Sequence, residues 1–186
     1  MKKYNSYDFD DTIYDGDCSH GYYYYALKKY PWLIVFLPYQ LLMFLPYFFK
    51  WRDRKWFKEK FGIYLRFMNH KVDIPRFWDL NQHKIKKYYM NQKKEDDIII
   101  SASPEPLVAE MCKRLGLTNI IGTDTDMKTG KINGPNCYNT GKVIILRQRM
   151  GDVKIAEFYS DSRADNPMAE LAEKAFFVVG EELRPW

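Results

Sequence analysis

Cysteine and histidine are scarce in this sequence. The three cysteines, Cys18, Cys112 and Cys137, are odd in number, widely separated and at no metal-ligand spacing. That argues against a disulfide framework or a zinc ribbon and for reduced thiols on the cytosolic side of a membrane. The three histidines, His20, His70 and His83, form no HExxH or similar pair. Each therefore reads as a surface or capping residue rather than a ligand or base. No basic-then-apolar-then-cleavage pattern opens the chain, so secretion is not expected. Zinc-finger, RNP and helix-turn-helix patterns are also missing, so nucleic acid is not an expected partner.

What is present is a chain of 186 residues, 46% of them apolar, enough for one good core and a smaller lobe. The formal net charge is +5 and is unevenly spread. Residues 13–97 carry 16 Lys/Arg against 9 Asp/Glu, so the positive field belongs to that stretch. Such a field attracts an anionic lipid surface or an anionic small substrate.

Along the chain, residues 3–8 read as a short strand that delivers three acids, Asp8, Asp10 and Asp11. Residues 13–97 are aromatic-rich and mostly helical in pattern. "DDIIISAS" gives an apolar strand ending in small residues, and "PEPLVAEMCKRLG" a helix stopped by Gly116. "NIIGTDTDMKTGKINGP" alternates around a turn and predicts a hairpin. "TGKVIILRQRMGD" predicts a helix, "KIAEFYSDS" a strand, "NPMAELAEKA" a third helix and "FFVV" a last strand, after which the chain leaves little for the sheet edge. The sum is an α/β fold with a mainly parallel sheet. Ligand sites in such sheets lie beyond the carboxyl ends of the strands, where Asp8 and Asp10, Ser101 and Asp161 all fall.

Asp8 and Asp10 are two apart, so a strand end points both the same way and turns Phe9 into the core. Asp161 and Asp165 add two more carboxylates. Such a cluster does not stay ionised in a poorly solvated pocket without a cation. The candidate ligands are all oxygens, which suits Mg²⁺. Ser101 and Lys142 offer donors to anionic oxygens, and a lysine, a hydroxyl and a hard cation together make a phosphate site. Taken singly, each feature has a plainer reading: solvated acids, a helix-capping serine, a surface lysine, an Asx turn.

The four motifs in order resemble the haloacid-dehalogenase-like (HAD) superfamily, and specifically its phosphatases with a cap between the first two motifs. "DFDDT" is similar to the first motif, "IIIS" to the second, Lys142 in "NTGKV" to the third and "YSDSRAD" to the fourth. The intervals between Asp8, Ser101, Lys142 and Asp161 are 93, 41 and 19 residues. The resemblance implies a Rossmann-like core formed by 1–12 and 98–186, with a helical cap over 13–97. It implies that Asp8 is a nucleophile forming an aspartyl-phosphate and Asp10 a general acid and base. Asp8, the Asp10 carbonyl, Asp161 and Asp165 would serve a Mg²⁺ ion. Ser101 would bind a phosphoryl oxygen, and Thr12 would support the loop and the phosphate site. Lys142 would offset charge, and Asp17 would contribute near the cap hinge. Asp11 stands where many relatives have glycine.

Within the insert, residues 31–49, "PWLIVFLPYQLLMFLPYFF", carry no charge and reach membrane-spanning length. Lys28 and Lys29 precede the run; Lys50, Arg52, Arg54 and Lys55 follow it. One crossing would strand Asp8 on the opposite side of the bilayer from Ser101, Lys142 and Asp161. Two crossings need about twice this length. The remaining expectations are a buried cap core, a re-entrant hairpin broken at Pro38 and Pro46, or helices lying in one leaflet on an anionic surface. A dimer interface through the cap is the further alternative. The fourth motif is also similar to the subgroup holding phosphoserine phosphatases and membrane-linked phosphatidylglycerophosphate phosphatases. That implies a phosphate monoester as substrate, either an amphipathic or lipid phosphate, or a small metabolite such as phosphoserine. A non-catalytic phosphate binder or membrane scaffold is the reading from another class.

Overall fold

The computed structural model describes residues 2–186. Five parallel strands form its centre: β1 (Lys3–Tyr7), β2 (Ile98–Pro104), β3 (Asn119–Thr123), β4 (Lys154–Ser160) and β5 (Ala172–Val179). A sixth, β6 (Glu182–Pro185), runs antiparallel to β5, and the order across the sheet is β3-β2-β1-β4-β5-β6. Successive residues of a strand face opposite sides, and both sides here are covered. Ile98 and Ile100 pack with Phe158 on one face, while Ile99 packs with Tyr7 and Tyr159 on the other. This burial on two faces explains why β2 begins as an unbroken apolar run rather than an alternating one.

An aromatic ladder crosses three adjacent strands. Tyr7 stacks on Tyr159 with ring centroids 4.4 Å apart, and Tyr159 stacks on Phe176 at 5.0 Å. Tyr7 is also the register partner of Tyr159, and Tyr159 that of Phe176.

Helices α6 (Glu105–Arg114), α7 (Thr140–Met150) and the single turn α8 (Asn166–Ala169) connect the core strands. The expected helix over 166–175 is therefore only one turn long. From Ala172 the chain is strand, because Ala172, Lys174 and Ala175 pair with Ile155, Glu157 and Phe158 of β4. Here sheet pairing overrides helix propensity. The sheet edge is also longer than the sequence suggested, since 182–185 turns back as β6. The predicted hairpin after residue 119 forms only in part. Its first limb is β3, parallel to β2, and the return limb pairs only beyond the end of that strand, at an isolated Thr125–Ile132 bridge.

Between β1 and β2 lies a helical insertion, or cap: α1 (Cys18–Lys29), α2 (Leu37–Phe48), α3 (Arg54–Phe61), α4 (His70–Asn81) and α5 (Lys87–Gln92). Its inner side is aromatic. Trp78 is fully buried, meets Phe9, Tyr14 and Phe77 edge to face, and donates its indole N–H to the Leu107 carbonyl at 2.7 Å. Asp73 is fully buried in α4 and ties the cap together, accepting from Lys29, Tyr25, Tyr30 and the Asn69 N–H.

The apolar run departs from the re-entrant expectation. Pro31–Phe36 is a 3-10 segment that leads directly into α2, with no fold-back. Pro38 lies in the first turn of α2, where its missing N–H is harmless, and Pro46 lies in the last turns. Nor is the run a cap core. Of Pro31–Phe48 only Leu33 and Gln40 are buried. Gln40 accepts from Tyr23 Oη at 2.6 Å and donates to the Phe61 carbonyl at 2.9 Å, which fixes α2 against the cap. Val35 is 66% exposed, Phe48 63% and Trp51 76%.

Candidate active site

The site grows from the carboxyl ends of β1, β2 and β4. Asp8 immediately follows β1 and donates its backbone N–H to the Tyr159 carbonyl at 2.9 Å. The chain then turns sharply: Ile13 and Tyr14 both donate to the Phe9 carbonyl. Asp11 sits at the tip with φ 54°, the left-handed region that glycine favours and aspartate tolerates. Its side chain accepts from the Gly16 N–H, closing the turn. Phe9 is fully buried, as the two-residue spacing of the acids requires.

Lys142 organises one half of the site. It lies in the first turn of α7, is almost wholly buried, and donates to Asp8 Oδ1 at 2.6 Å and to Asp165 Oδ2 at 2.7 Å. Asp165 also accepts from Ser160 Oγ at 2.8 Å. Neighbouring Gly141 makes this placement feasible, since a Cβ there would stand 2.1 Å from the Asn136 carbonyl oxygen. Burial works against the Lys142 charge, but Asp8 and Asp165 outweigh it and hold its pKa above the usual lysine value. Burial pushes the Asp8 carboxyl up to about 7, against the pull of Lys142 and reinforced by Asp165.

Asp10 organises the other half. Its Oδ1 accepts from the Cys18 N–H at 2.7 Å; its Oδ2 accepts from Ser103 Oγ at 2.6 Å and Ser101 Oγ at 3.3 Å. Burial, followed by the nearby Asp17 charge, raises its pKa above the ordinary carboxylate value. Asp161 is held by Thr12, whose hydroxyl donates to Asp161 Oδ1 at 3.2 Å and accepts from the Asp161 N–H at 3.0 Å. Burial likewise raises Asp161. Thr12 thus touches the β4 loop rather than open space. Asp17 is the N-cap of α1, accepting from the His20 N–H at 2.9 Å.

Seven of the eight residues singled out from the sequence thus fall into three contact groups: Asp8, Lys142 and Asp165; Asp10 and Ser101, joined by Ser103; and Thr12 with Asp161. Asp17 bonds to none of them. Ser103 was missed. Its signal was the "SAS" spacing, because residues two apart on a strand share a face. Lys58 of α3 was also missed: its Nζ donates to the Ala102 carbonyl at 2.7 Å and to Asn136 Oδ1 at 3.0 Å. No local pattern distinguishes it from the other lysines of the insert.

A hard cation suits the donor chemistry, which is oxygen throughout. Asp8 and Asp161 each use one carboxylate oxygen in the contacts above and keep the second. The same holds for Asp165, whose two donors both bond to Oδ2, whereas both carboxylate oxygens of Asp10 already accept from N–H and hydroxyl donors. Among the described residues, no three His, Cys, Asp or Glu side chains form a ready metal-holding group.

Residues 6–170 match the family described as haloacid dehalogenase-like hydrolase. The chain belongs to that family. It is 35% identical over 88 residues to protein CicA of Caulobacter vibrioides, an alignment covering 44% of this chain and 40% of that protein. It is 23% identical to a histidinol-phosphatase of Neisseria meningitidis over 205 residues, covering 96% of this chain and 90% of the relative. A Bordetella pertussis protein described as of unknown function has the same fold, with a TM-score of 0.77, 17% identity, and coverage of 94% of this chain and 89% of that one. The match to CicA thus spans well under two thirds of that protein's length.

Proposed function

We propose that this chain is a phosphomonoester hydrolase acting on a small phosphoester through an aspartyl-phosphate on Asp8. The single observation that supports this most is the buried Lys142 ammonium bridging Asp8 and Asp165 beside the hydroxyl-bound Asp10 carboxyl. In the proposed reaction an Asp8 oxygen bonds to phosphorus as the bond from phosphorus to the alcohol oxygen breaks. Asp10, protonated more readily than an ordinary carboxyl, gives its proton to the departing alcohol. It then takes a proton from water, which attacks the acyl phosphate, releases inorganic phosphate and restores Asp8. Lys142 offsets negative charge on Asp8 and the phosphoryl group, Ser101 offers its hydroxyl, and Thr12 holds Asp161 in place. Mg²⁺, with Asp8, the Asp10 carbonyl and Asp161 as its ligands, would supply Lewis-acid stabilisation of the phosphoryl oxygens. Residues 1–12 and 98–186 form the catalytic unit on this reading, and 13–97 the lid that covers it. The test is hydrolysis of 4-nitrophenyl phosphate with Mg²⁺. Asp8→Asn is expected to abolish it with an unchanged circular dichroism spectrum, and retained turnover would overturn the nucleophile assignment.

A second reading concerns where the substrate is found. The uncharged face of Pro31–Phe48 is long and apolar enough to cross a bilayer by length and composition, yet it is one exposed side of the cap. Exposed Lys50, Arg52 and Arg54 border it. An apolar face with a cationic rim fits the headgroup region of an anionic bilayer, which favours an amphipathic or lipid phosphate. Co-sedimentation with phosphatidylglycerol vesicles tests this. A chain that stays in the supernatant, or that buries the face in a dimer, overturns it.

A further inference from the structure

Lys58 is the one cationic side chain that α3 sends from the cap to the end of β2. Ala102, whose carbonyl it meets, lies between Ser101 and Ser103, the two hydroxyl donors to Asp10. Its other partner, Asn136 Oδ1, is itself fixed by Thr123 Oγ1 at 3.2 Å. Both partners are neutral oxygens. Among the described residues no carboxylate lies within ion-pair distance of Lys58, although Asp10 and Asp17 stand near enough to act on its charge. A partly buried ammonium with only neutral acceptors is under-compensated.

Fastening the cap does not require it. Lys55 donates to the Gly134 carbonyl at 2.7 Å, Glu59 accepts from the Ile132 N–H at 2.9 Å, and Arg66 donates to the Thr129 carbonyl at 3.3 Å. At Gly130 the backbone of the 124–138 loop lies directly against Gly62, leaving no room for a side chain. These contacts already close the same seam. Lys58 differs from them in meeting the strand segment that carries Ser101 and Ser103, near enough to Asp10 for the two charges to interact. On the reading above, Asp10 serves the departing alcohol, and Lys142 already serves Asp8 and the phosphoryl group.

We infer that Lys58 is a substrate-contacting, specificity-determining residue, which receives a second anionic group carried on the alcohol of the phosphomonoester. The favoured substrates are therefore esters whose alcohol bears a carboxylate or another phosphate. This inference rests on the proposed phosphomonoesterase reading. Burial and the adjacent Arg54 guanidinium bring the Lys58 ammonium down to about 8, which agrees with an empty anion position.

The test compares phosphoglycolate, whose alcohol carries a carboxylate, with 4-nitrophenyl phosphate, whose alcohol carries no formal charge. Lys58→Met is expected to lower kcat/KM for phosphoglycolate roughly 30-fold, mostly through KM, the size of one lost charge-assisted hydrogen bond. It should change 4-nitrophenyl phosphate less than about threefold, and Lys58→Arg should restore most of the phosphoglycolate rate. Equal losses on both substrates would mark Lys58 as a cap latch only and overturn the inference, as would no loss on either. A binding arm separates this from failure of the hydrolase reading. Phosphonoacetate and ethylphosphonate, neither of which is hydrolysed, are titrated calorimetrically into the full chain with Mg²⁺. Loss of phosphonoacetate binding alone in Lys58→Met supports the residue's role even if the wild-type chain turns over no ester. Unchanged phosphonoacetate binding, or no preference for it in the wild type, overturns the role.

Discussion

The crevice and the outer face of the cap invert the usual pattern in opposite senses. In the crevice, charged groups are buried: Asp8, Lys142 and Asp165 are nearly inaccessible, and each has a charged or hydroxyl partner. On the cap's outer face, large apolar groups are exposed, among them Trp32, Leu41, Phe48 and Trp51, and little covers them. Both arrangements cost free energy in an isolated chain in water. The difference lies in what would relieve them. The crevice needs something anionic or cationic of atomic size, whereas the outer face needs an apolar surface hundreds of square ångströms in extent. On the proposed reading the buried charges serve the chemistry and the exposed apolar area serves as a docking surface.

The comparison can be broken most decisively at Lys142. Lys142→Met leaves Asp8 and Asp165 buried without their cation, and turnover of 4-nitrophenyl phosphate is expected to fall at least about a thousandfold. A variant that melts near wild type and retains most activity would show that the buried charges are structural only. On the inner side of the cap, Trp78→Ala removes a fully buried indole and its bond to Leu107. Denaturant unfolding should report a loss of about 3–5 kcal/mol. Gly141→Ala sharpens the crevice side, because its Cβ meets the Asn136 carbonyl and displaces the α7 terminus that carries Lys142. A loss of about 1–3 kcal/mol is expected, with a fall in kcat exceeding any change in KM.

Asp97 offers a pH-dependent test outside both regions. Burial raises its carboxyl to about 6 despite the Lys94 N–H it accepts. An acid raised on folding destabilises the folded chain when ionised. That cost is fully present above pH 6 and fades as pH falls toward the unfolded value near 4. Asp97→Asn should therefore raise stability at pH 7.5 by roughly 1 kcal/mol, less than the full shift because solvent screens the charge, and change it little near pH 4. An equal effect at both pH values would exclude ionisation as the cause. The smallest effect belongs to the exposed face. Leu41→Ser with Phe48→Ser should alter unfolding by no more than about 0.5 kcal/mol per site, while vesicle co-sedimentation falls. A loss of several kcal/mol would mean the face is packed in solution, against a second copy for example.

The sequence revealed the crevice more fully than the scaffold around it. Strand ends that deliver Asp8, Ser101 and Asp161 carry a strong local signature, because the chemistry demands particular residues at particular offsets. The switch from helix to strand at Ala172 had no such signature: "AELAEKA" favours a helix in isolation, and only pairing with β4 makes it β5. Burial of residues 31–49 was equally illegible. An apolar run reads alike whether it lies inside a protein or faces outward, and only the packing of Leu33 and Gln40 reveals which side turns in. Lys58 escaped for the opposite reason. Its contact is with a carbonyl 44 positions away, a relation set by cap placement.

The stacked rings of Tyr7, Tyr159 and Phe176 act as an index mark for the catalytic strands. Tyr7 immediately precedes Asp8, and Tyr159 precedes Asp161 by two. Sliding β1 by a single residue against β4 would turn Tyr7 to the opposite face of the sheet and break the stack. The same slip would carry Asp8 away from Lys142. Correct alignment of two aromatic planes is thus inseparable from correct alignment of the acids, and a chain that mispairs these strands loses its ladder and its chemistry together.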